Sequence, residues 1–166
     1  MSTVRTIVVR GLMTEIREAH SHEIQTVRDL FLEYAKSLNF SLCFQDFDQE
    51  LETLPGAYVA PKGFILLAFQ NSKPIGCVAL RFLEAGVSEM KRLYVKPDSQ
   101  GLGIGRALTE ELMQKAKKIG YKKIRLDTVP SMKAAINMYA AMGFYSIPAY
   151  RENPIEGTTY LEKVIS

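Results

Sequence analysis

The chain has 166 residues, 47% of them hydrophobic and 23% charged, and its 21 Lys and Arg against 18 Asp and Glu give a formal net charge of +3. That length suits one domain burying roughly 70% of the surface its unfolded form exposes. The basic excess is too small and scattered to announce nucleic acid, and no apolar run reaches the about 20 residues of a membrane-crossing helix.

Residues 1–13 carry few turn or cap signals and read as an amino-terminal extension of a single domain, pairing as an extra strand. Glu15 to Ala19 predicts a short strand and Ser21 an N-cap. Ile24, Val27, Leu30, Phe31, Tyr34, Ala35 and Leu38 then mark one face of a helix. His20 and His22, just before it, have no Cys or carboxylate partner at ligand spacing, so no metal is expected. Cys43 and Cys77 lack such spacing too and sit in apolar sequence, which reads as buried free thiols in a reducing cytoplasm. Asp46 with Gln49 three residues on has the form of a capping box. Phe47, Leu51 and Leu54 supply the apolar face of this second, shorter helix, and Pro55-Gly56 ends it.

From Gly63 the period changes. Phe64 to Phe69 and Ile75 to Phe82 are apolar runs joined by Asn71-Ser72-Lys73-Pro74, and Glu84-Ala85-Gly86 turns the chain into a strand over Glu89 to Val95. An antiparallel meander results. Lys96-Pro97-Asp98 stops it, and Gln100-Gly101-Leu102-Gly103-Ile104-Gly105-Arg106 opens a helix with Ile104, Leu108, Leu112, Ala116 and Ile119 on its apolar face. Glu110 and Glu111 lie early, Lys115, Lys117 and Lys118 late, and Gly120 follows as the closing residue. Glycines between a strand and a helix make a phosphate-binding junction, because backbone can approach the ligand and the first helical turn offers free N–H groups. Arg106 stands three residues beyond Gly103 and Leu108 three beyond Gly105, so G-x-G-x-x-G is absent, and no G-K-[ST] follows. Lys91, Arg92, Lys96 and Arg106 bracket the loop, where a polyanion would want them. Lys123 to Asp127 is the next strand. Ser131 reads as the cap of a helix through Met142 closed by Gly143, with last strands at Phe144 to Ile147 and Thr158 to Val164.

The order β-α-α-β-β-β-α-β-α-β-β resembles the GNAT superfamily of N-acetyltransferases. So do Glu89-Met90-Lys91-Arg92-Leu93-Tyr94-Val95, the Q-x-x-G-x-G loop at Gln100, Gly103 and Gly105, and Ala134 to Tyr139 leading to Gly143-Phe144. The match is dense over residues 75 to 147 and looser elsewhere. The resemblance implies a mixed α/β, α+β-like fold: a mostly antiparallel twisted sheet of about seven strands, flanked by about four helices and splayed at a cofactor cleft. It implies acetyl-CoA as co-substrate and no metal. Leu93, Tyr94 and Val95 would meet the pantetheine arm; Gln100, Gly101, Leu102, Gly103, Ile104, Gly105 and Arg106 would hold the pyrophosphate. Ser131 stands beside Met132, which occupies the place of a family asparagine, so Ser131 is either a cofactor contact or only a cap.

Tyr139, in Tyr139-Ala140-Ala141-Met142-Gly143-Phe144, is implied as the proton or hydrogen-bond donor to the departing thiolate, against a plain core tyrosine. Glu89 is implied as general base for the amine; the alternatives are a surface glutamate paired with Lys91 or Arg92, and a reaction that needs no protein base. The implied activity moves acetyl from acetyl-CoA to a primary amine of a small molecule or a peptide amino terminus, by direct attack in a ternary complex. A non-catalytic CoA or acyl-CoA sensor or assembly module is the alternative. Arg151, in the loop before the last strand, stands where it could meet an acidic acceptor group. No nucleic acid or membrane partner is expected, and edge strands near the carboxyl end are compatible with a homodimer.

Overall fold

A computed structural model describes residues 3–43 and 46–166. Its elements are β1 (Arg5–Val9), β2 (Leu12–Glu18), α1 (Ile24–Ser37), α2 (Phe47–Thr53), β3 (Phe64–Gln70), β4 (Lys73–Glu84), β5 (Val87–Val95), α3 (Ile104–Ile119), β6 (Lys123–Thr128), α4 (Lys133–Ala141), β7 (Tyr145–Ile147) and β8 (Thr159–Val164). One sheet runs in the order β1-β2-β3-β4-β5-β6-β8-β7. Its neighbours are antiparallel except β5 and β6, which α3 joins as a parallel crossover.

The sheet is buried on both faces, so β3 and β4 read as continuous apolar runs rather than alternating ones. On one face Ile104, Leu108, Leu112 and Ala116 of α3 pack with Leu66, Val78, Leu80 and Ile124. On the other, Val27, Leu30 and Phe31 of α1 and Leu51 of α2 pack with Leu67, Cys77 and Ala79. Each fully buried leucine or phenylalanine contributes about 1.5–3 kcal/mol, which makes these two layers the frame on which the strands are held.

The segment expected as an extension is β1, the eighth strand. Arg10 and Gly11, at φ 49° and 73°, form a two-residue turn that pairs Val9 with Leu12. Ser21 does not cap α1. It lies in a 3₁₀ turn, Ser21–Glu23, where the Glu23 carboxylate accepts the His20 N–H at 2.8 Å. Hydrogen bonds from Arg17 hold the Glu23 pKa down to about 2 against the opposing effect of burial. Asp46 sits at φ 53° with no side-chain cap bond, so the expected capping box is absent, and Met132 rather than Ser131 stands at the N-cap of α4. Gly120 closes α3 as expected, at φ 115°, its N–H bonding to the Ala116 and Lys117 carbonyls.

Cys77 is buried, but Cys43 is exposed, with the neighbouring Leu42 turned into the core instead. His20 and His22 are exposed and stacked, with ring centroids 5.4 Å apart. Among the described residues no helix is long and apolar enough to cross a membrane, and no group of three or more His, Cys, Asp or Glu is arranged for a metal.

Candidate functional site

The site begins with a fault in β5. Ala79 pairs with Lys91 and Cys77 with Tyr94, so Val78 faces two residues, Arg92 and Leu93, and Arg92 is driven to φ 62°. A bulge of this kind sharpens the local twist. The Arg92 guanidinium locks it: Nε donates to Glu50 Oε2 at 2.8 Å and Nη2 to Oε1 at 3.1 Å, the Tyr58 hydroxyl adds a bond to Oε1 at 2.9 Å, and the Phe47 ring lies 5.2 Å away. Pairing of β5 with β6 covers only Val87 to Glu89 against Lys123 to Arg125. Beyond Glu89 the strands part, leaving backbone polar groups without a neighbouring strand.

The parting opens an outer cleft at the glycine loop. Gln100 Nε2 donates to the Val95 carbonyl at 2.9 Å, tying the loop to the strand it follows. Gly101 and Gly103 hold φ 75° and 83°, and a Cβ at either would meet no atom within 4 Å, so the loop faces open space. Gly103 is the N-cap of α3, the first intrahelical acceptor is its carbonyl to Ala107, and no acidic residue occupies the first turn. The N–H groups of Ile104, Gly105 and Arg106 are therefore left for an anion. Leu93, Val95 and the loop glycines form one wall, and Ser131 to Ala135 the opposite one.

Not every predicted contact faces this cleft. Tyr94 turns to the other side of the sheet, where its hydroxyl donates to Glu33 at 3.2 Å and its ring meets Tyr34 edge-on at 6.3 Å. Leu102 packs on the core, and Ile104 is 1% exposed, so Ile104 offers only its backbone. Of the four basic residues expected around the loop, Arg106 alone lines the cleft, and it also bonds Glu110 at 3.1 Å. Lys96 pairs with Glu33 at 3.2 Å, while Lys91 and Arg92 lie deeper. Ser131, freed of the capping role, is on the cleft wall.

An inner cavity continues from the cleft. Leu93 and Met132 line both, and Lys91, Asp127, Thr128 and Tyr139 line the inner part. Tyr139 is 5% exposed, with its ring against Phe144 at 5.4 Å, and its hydroxyl makes no hydrogen bond among the described residues. Burial first, then Tyr34, pushes its pKa above the ordinary phenol value, so it carries its proton at neutral pH. Burial, then neighbouring Arg92, lowers the Lys91 pKa to about 7 despite the opposing charge of Glu89. Asp127 accepts a hydrogen bond from Asn153 Nδ2 at 3.3 Å. The buried Thr128 Oγ1 has no hydrogen-bond partner in the described structure.

Glu89, expected to be either a base or a surface residue paired with Lys91 or Arg92, is neither surface-exposed nor on the cavity wall. It is 0% exposed, and its ion-pair partners are different residues. Arg81 Nε donates to Oε1 at 2.8 Å, the Tyr150 hydroxyl donates to Oε2 at 2.7 Å, and Arg151 Nη2 donates to Oε2 as well. Burial raises its pKa, but Lys91, Arg151 and Arg81 outweigh that and hold it below the usual carboxylate value. Arg151 is thereby engaged with Glu89, while its side chain stays 20% exposed. Asp127, Thr128 and Asn153 were not singled out by the sequence as site residues, and Lys91, expected at the glycine loop, lines the inner cavity instead. Only a hydrophilic Asp127-Thr128 ending an otherwise apolar-patterned strand hints at them.

A family model described as the acetyltransferase (GNAT) family matches residues 24–144. An uncharacterized N-acetyltransferase of Schizosaccharomyces pombe is 35% identical over 146 residues, covering 87% of this chain and 90% of the relative. A GNAT-family acetyltransferase structure from Staphylococcus aureus Mu50 superimposes with a TM-score of 0.77 at 20% identity, covering 92% of this chain and 99% of that one. The PaiA N-acetyltransferase of Thermoplasma acidophilum, solved in complex with coenzyme A, gives 0.71 at 22% identity over 91% and 98% of the two chains. The parted β5 and β6, the glycine cradle and the tyrosine behind it thus sit in a known frame, and the chain belongs to the GNAT acetyltransferase family.

Proposed function

We propose that the protein transfers acetyl from acetyl-CoA to a primary amine by direct attack in a ternary complex. One observation carries this reading: an anion cradle at the start of α3 opens, through the gap between β5 and β6, onto a cavity lined by a protonated, unpartnered tyrosine. The N–H groups of Gly101, Gly103, Gly105 and Arg106 hold the pyrophosphate, aided by Gln100 and Ser131, and the backbone of Leu93 and Val95 pairs with the pantetheine amides. The coenzyme A bound to the Thermoplasma neighbour supports the choice of cofactor.

In the reaction the amine nitrogen forms the new N–C bond, the C–S bond breaks, and a strand N–H near Leu93 to Val95 stabilises the oxyanion. Tyr139 meets the charge that develops on sulfur. Its pKa lies well above the about 8.5 of an ordinary thiol, so it stabilises the thiolate as a hydrogen-bond donor rather than by surrendering its proton outright. The incoming ammonium must lose a proton first. Asp127, on the cavity wall, accepts it directly or through water, while Glu89 acts from outside the cavity by fixing Tyr150 and Arg151.

Thiol release from acetyl-CoA across an amine panel tests the proposal, with thermal stabilisation by CoA measured alongside. Acceptor-dependent release is expected. Stabilisation without release would leave a CoA sensor instead, and absence of both would remove CoA from the account.

A further inference from the structure

Two residues line both the outer cleft and the inner cavity: Leu93 on β5 and Met132 at the start of α4. They come from opposite walls of the cleft, so a group that passes from the glycine cradle toward Tyr139 passes between them. Leu93 is packed against the core beside the bulge at Arg92, which fixes its side of the passage. Met132 is held by its backbone, its N–H donating to the Val129 carbonyl at 3.0 Å and its own carbonyl accepting from Ile136 at 3.0 Å. Its side chain is half-buried and joins neither apolar cluster of the described residues, so the thioether narrows the passage by its bulk.

The two spaces differ in size. The outer cleft has a volume of about 770 Å³ and the inner cavity about 50 Å³. A water-sized group takes roughly 10–15 Å³ of such volume, so the inner cavity accommodates roughly three to five of them. The carbon, oxygen and methyl of an acetyl group use about three places, and the attacking nitrogen with its own carbon uses the rest. Part of the room is fitted for that amine: Asp127, Asn153 and the buried, unpartnered Thr128 Oγ1 bring polar groups to the wall.

Resting on the acetyltransferase reading above, we infer that Met132 sets the chain length of the donor, admitting acetyl and propionyl and rejecting butyryl and longer acyl groups. Each added methylene has to displace either the Met132 side chain or the amine, and a packed wall resists both. A longer thioester still binds, because its nucleotide and pantetheine arm lie in the outer cleft, which has room for a tail that has not passed Met132. Its carbonyl then stops short of Tyr139, so the discrimination falls on kcat rather than on KM.

The experiment compares acetyl-, propionyl-, butyryl- and hexanoyl-CoA by thiol release, with the best acceptor of the amine panel, in wild type, Met132→Ala and Met132→Phe. In wild type, kcat is expected to fall about fivefold from acetyl to propionyl and at least about 30-fold to butyryl, the range set by overpacking. Hexanoyl-CoA is expected to inhibit competitively against acetyl-CoA. Met132→Ala should raise the butyryl-to-acetyl ratio of kcat at least about tenfold, and Met132→Phe should lower the propionyl-to-acetyl ratio. General damage to the fold would not move the two ratios in opposite directions. Butyryl-CoA turned over by wild type as fast as acetyl-CoA, or ratios that neither variant moves, overturn the inference and leave the acetyltransferase reading intact. Thiol release from none of these thioesters, with any amine of the panel, refutes both.

Discussion

Replacing Tyr139 with Phe removes one oxygen and nothing else. The ring is 5% exposed and rests against Phe144 at 5.4 Å, contacts that Phe preserves. The hydroxyl has no hydrogen-bond partner among the described residues, so its loss strands no buried donor or acceptor, and stability should stay within about 0.5 kcal/mol of wild type. Cofactor affinity should also hold, because Tyr139 lines the inner cavity and not the cleft of the glycine loop. Turnover is different. Deleting one donor aimed at developing charge costs about 10²–10³ in kcat, and a diffuse thiolate accepts hydrogen bonds less strongly than an oxyanion, so about 100-fold, or ~2.7 kcal/mol, is expected. Initial rates of thiol release at saturating substrates give kcat, calorimetric titration with CoA gives the affinity, and denaturant unfolding gives the stability. A kcat within about threefold of wild type, with affinity and stability unchanged, would falsify the assignment of Tyr139 to the leaving group.

Lys91 ties stability to pH. Its folded pKa of about 7 lies below the ordinary 10.5, so between those values the unfolded chain binds the extra proton and stability rises with pH. The penalty is complete below about pH 7, and Lys91→Met should therefore exceed wild type in stability there, its advantage shrinking as pH approaches 10.5 in thermal melts. Glu50→Ala strips the Arg92 side chain, 2% exposed, of its carboxylate. The expected loss is about 3 kcal/mol, the low end for a broken buried pair because Arg92 keeps other partners, read from the urea midpoint. Gly103→Ala places a side chain at φ 83° in open space, so only backbone strain of about 1–2 kcal/mol enters stability, while the displaced N–H cradle lowers CoA affinity at least tenfold. A dissociation constant within twofold of wild type argues that the cradle is elsewhere. Glu89→Gln should raise acceptor KM with kcat little changed; loss of the acidic limb of the kcat profile would instead make Glu89 the base.

What the sequence disclosed follows from how local each signal is. The glycine loop, the two apolar runs of β3 and β4 and the face of α3 are spelled out within a few residues, and the structure has them at nearly the same bounds. The β1–β2 turn escaped because Arg10-Gly11 lacks the Asn or Asp that usually advertises two left-handed residues in succession. The burial of Glu89, which rules out the surface alternative, was not legible because its partners come from far along the chain: Arg81 across a hairpin, and Tyr150 and Arg151 from a loop some 60 positions on. Lys91, Asp127 and Thr128 come to line one cavity because β5 and β6 diverge after three residue pairs. That divergence depends on a bulge pinned by Glu50 of α2, a long-range bond with no imprint on the spacing of either strand.

The narrow junction between β5 and β6 also bears on how the molecule comes apart. Val87 to Glu89 are the residues through which β1–β5 and β6–β8 exchange strand pairing. A ligand laid along the open stretch acts as a splint between the two blocks, so its binding energy adds to cooperativity as well as to occupancy. In hydrogen exchange, amides of β6 and β8 should then be released on their own, ahead of β3 and β4, in protein without cofactor, and in step with them once the cofactor is bound. On the proposed reaction the thioester donor would serve twice over: it would supply the group to be transferred and would stabilise the folded state.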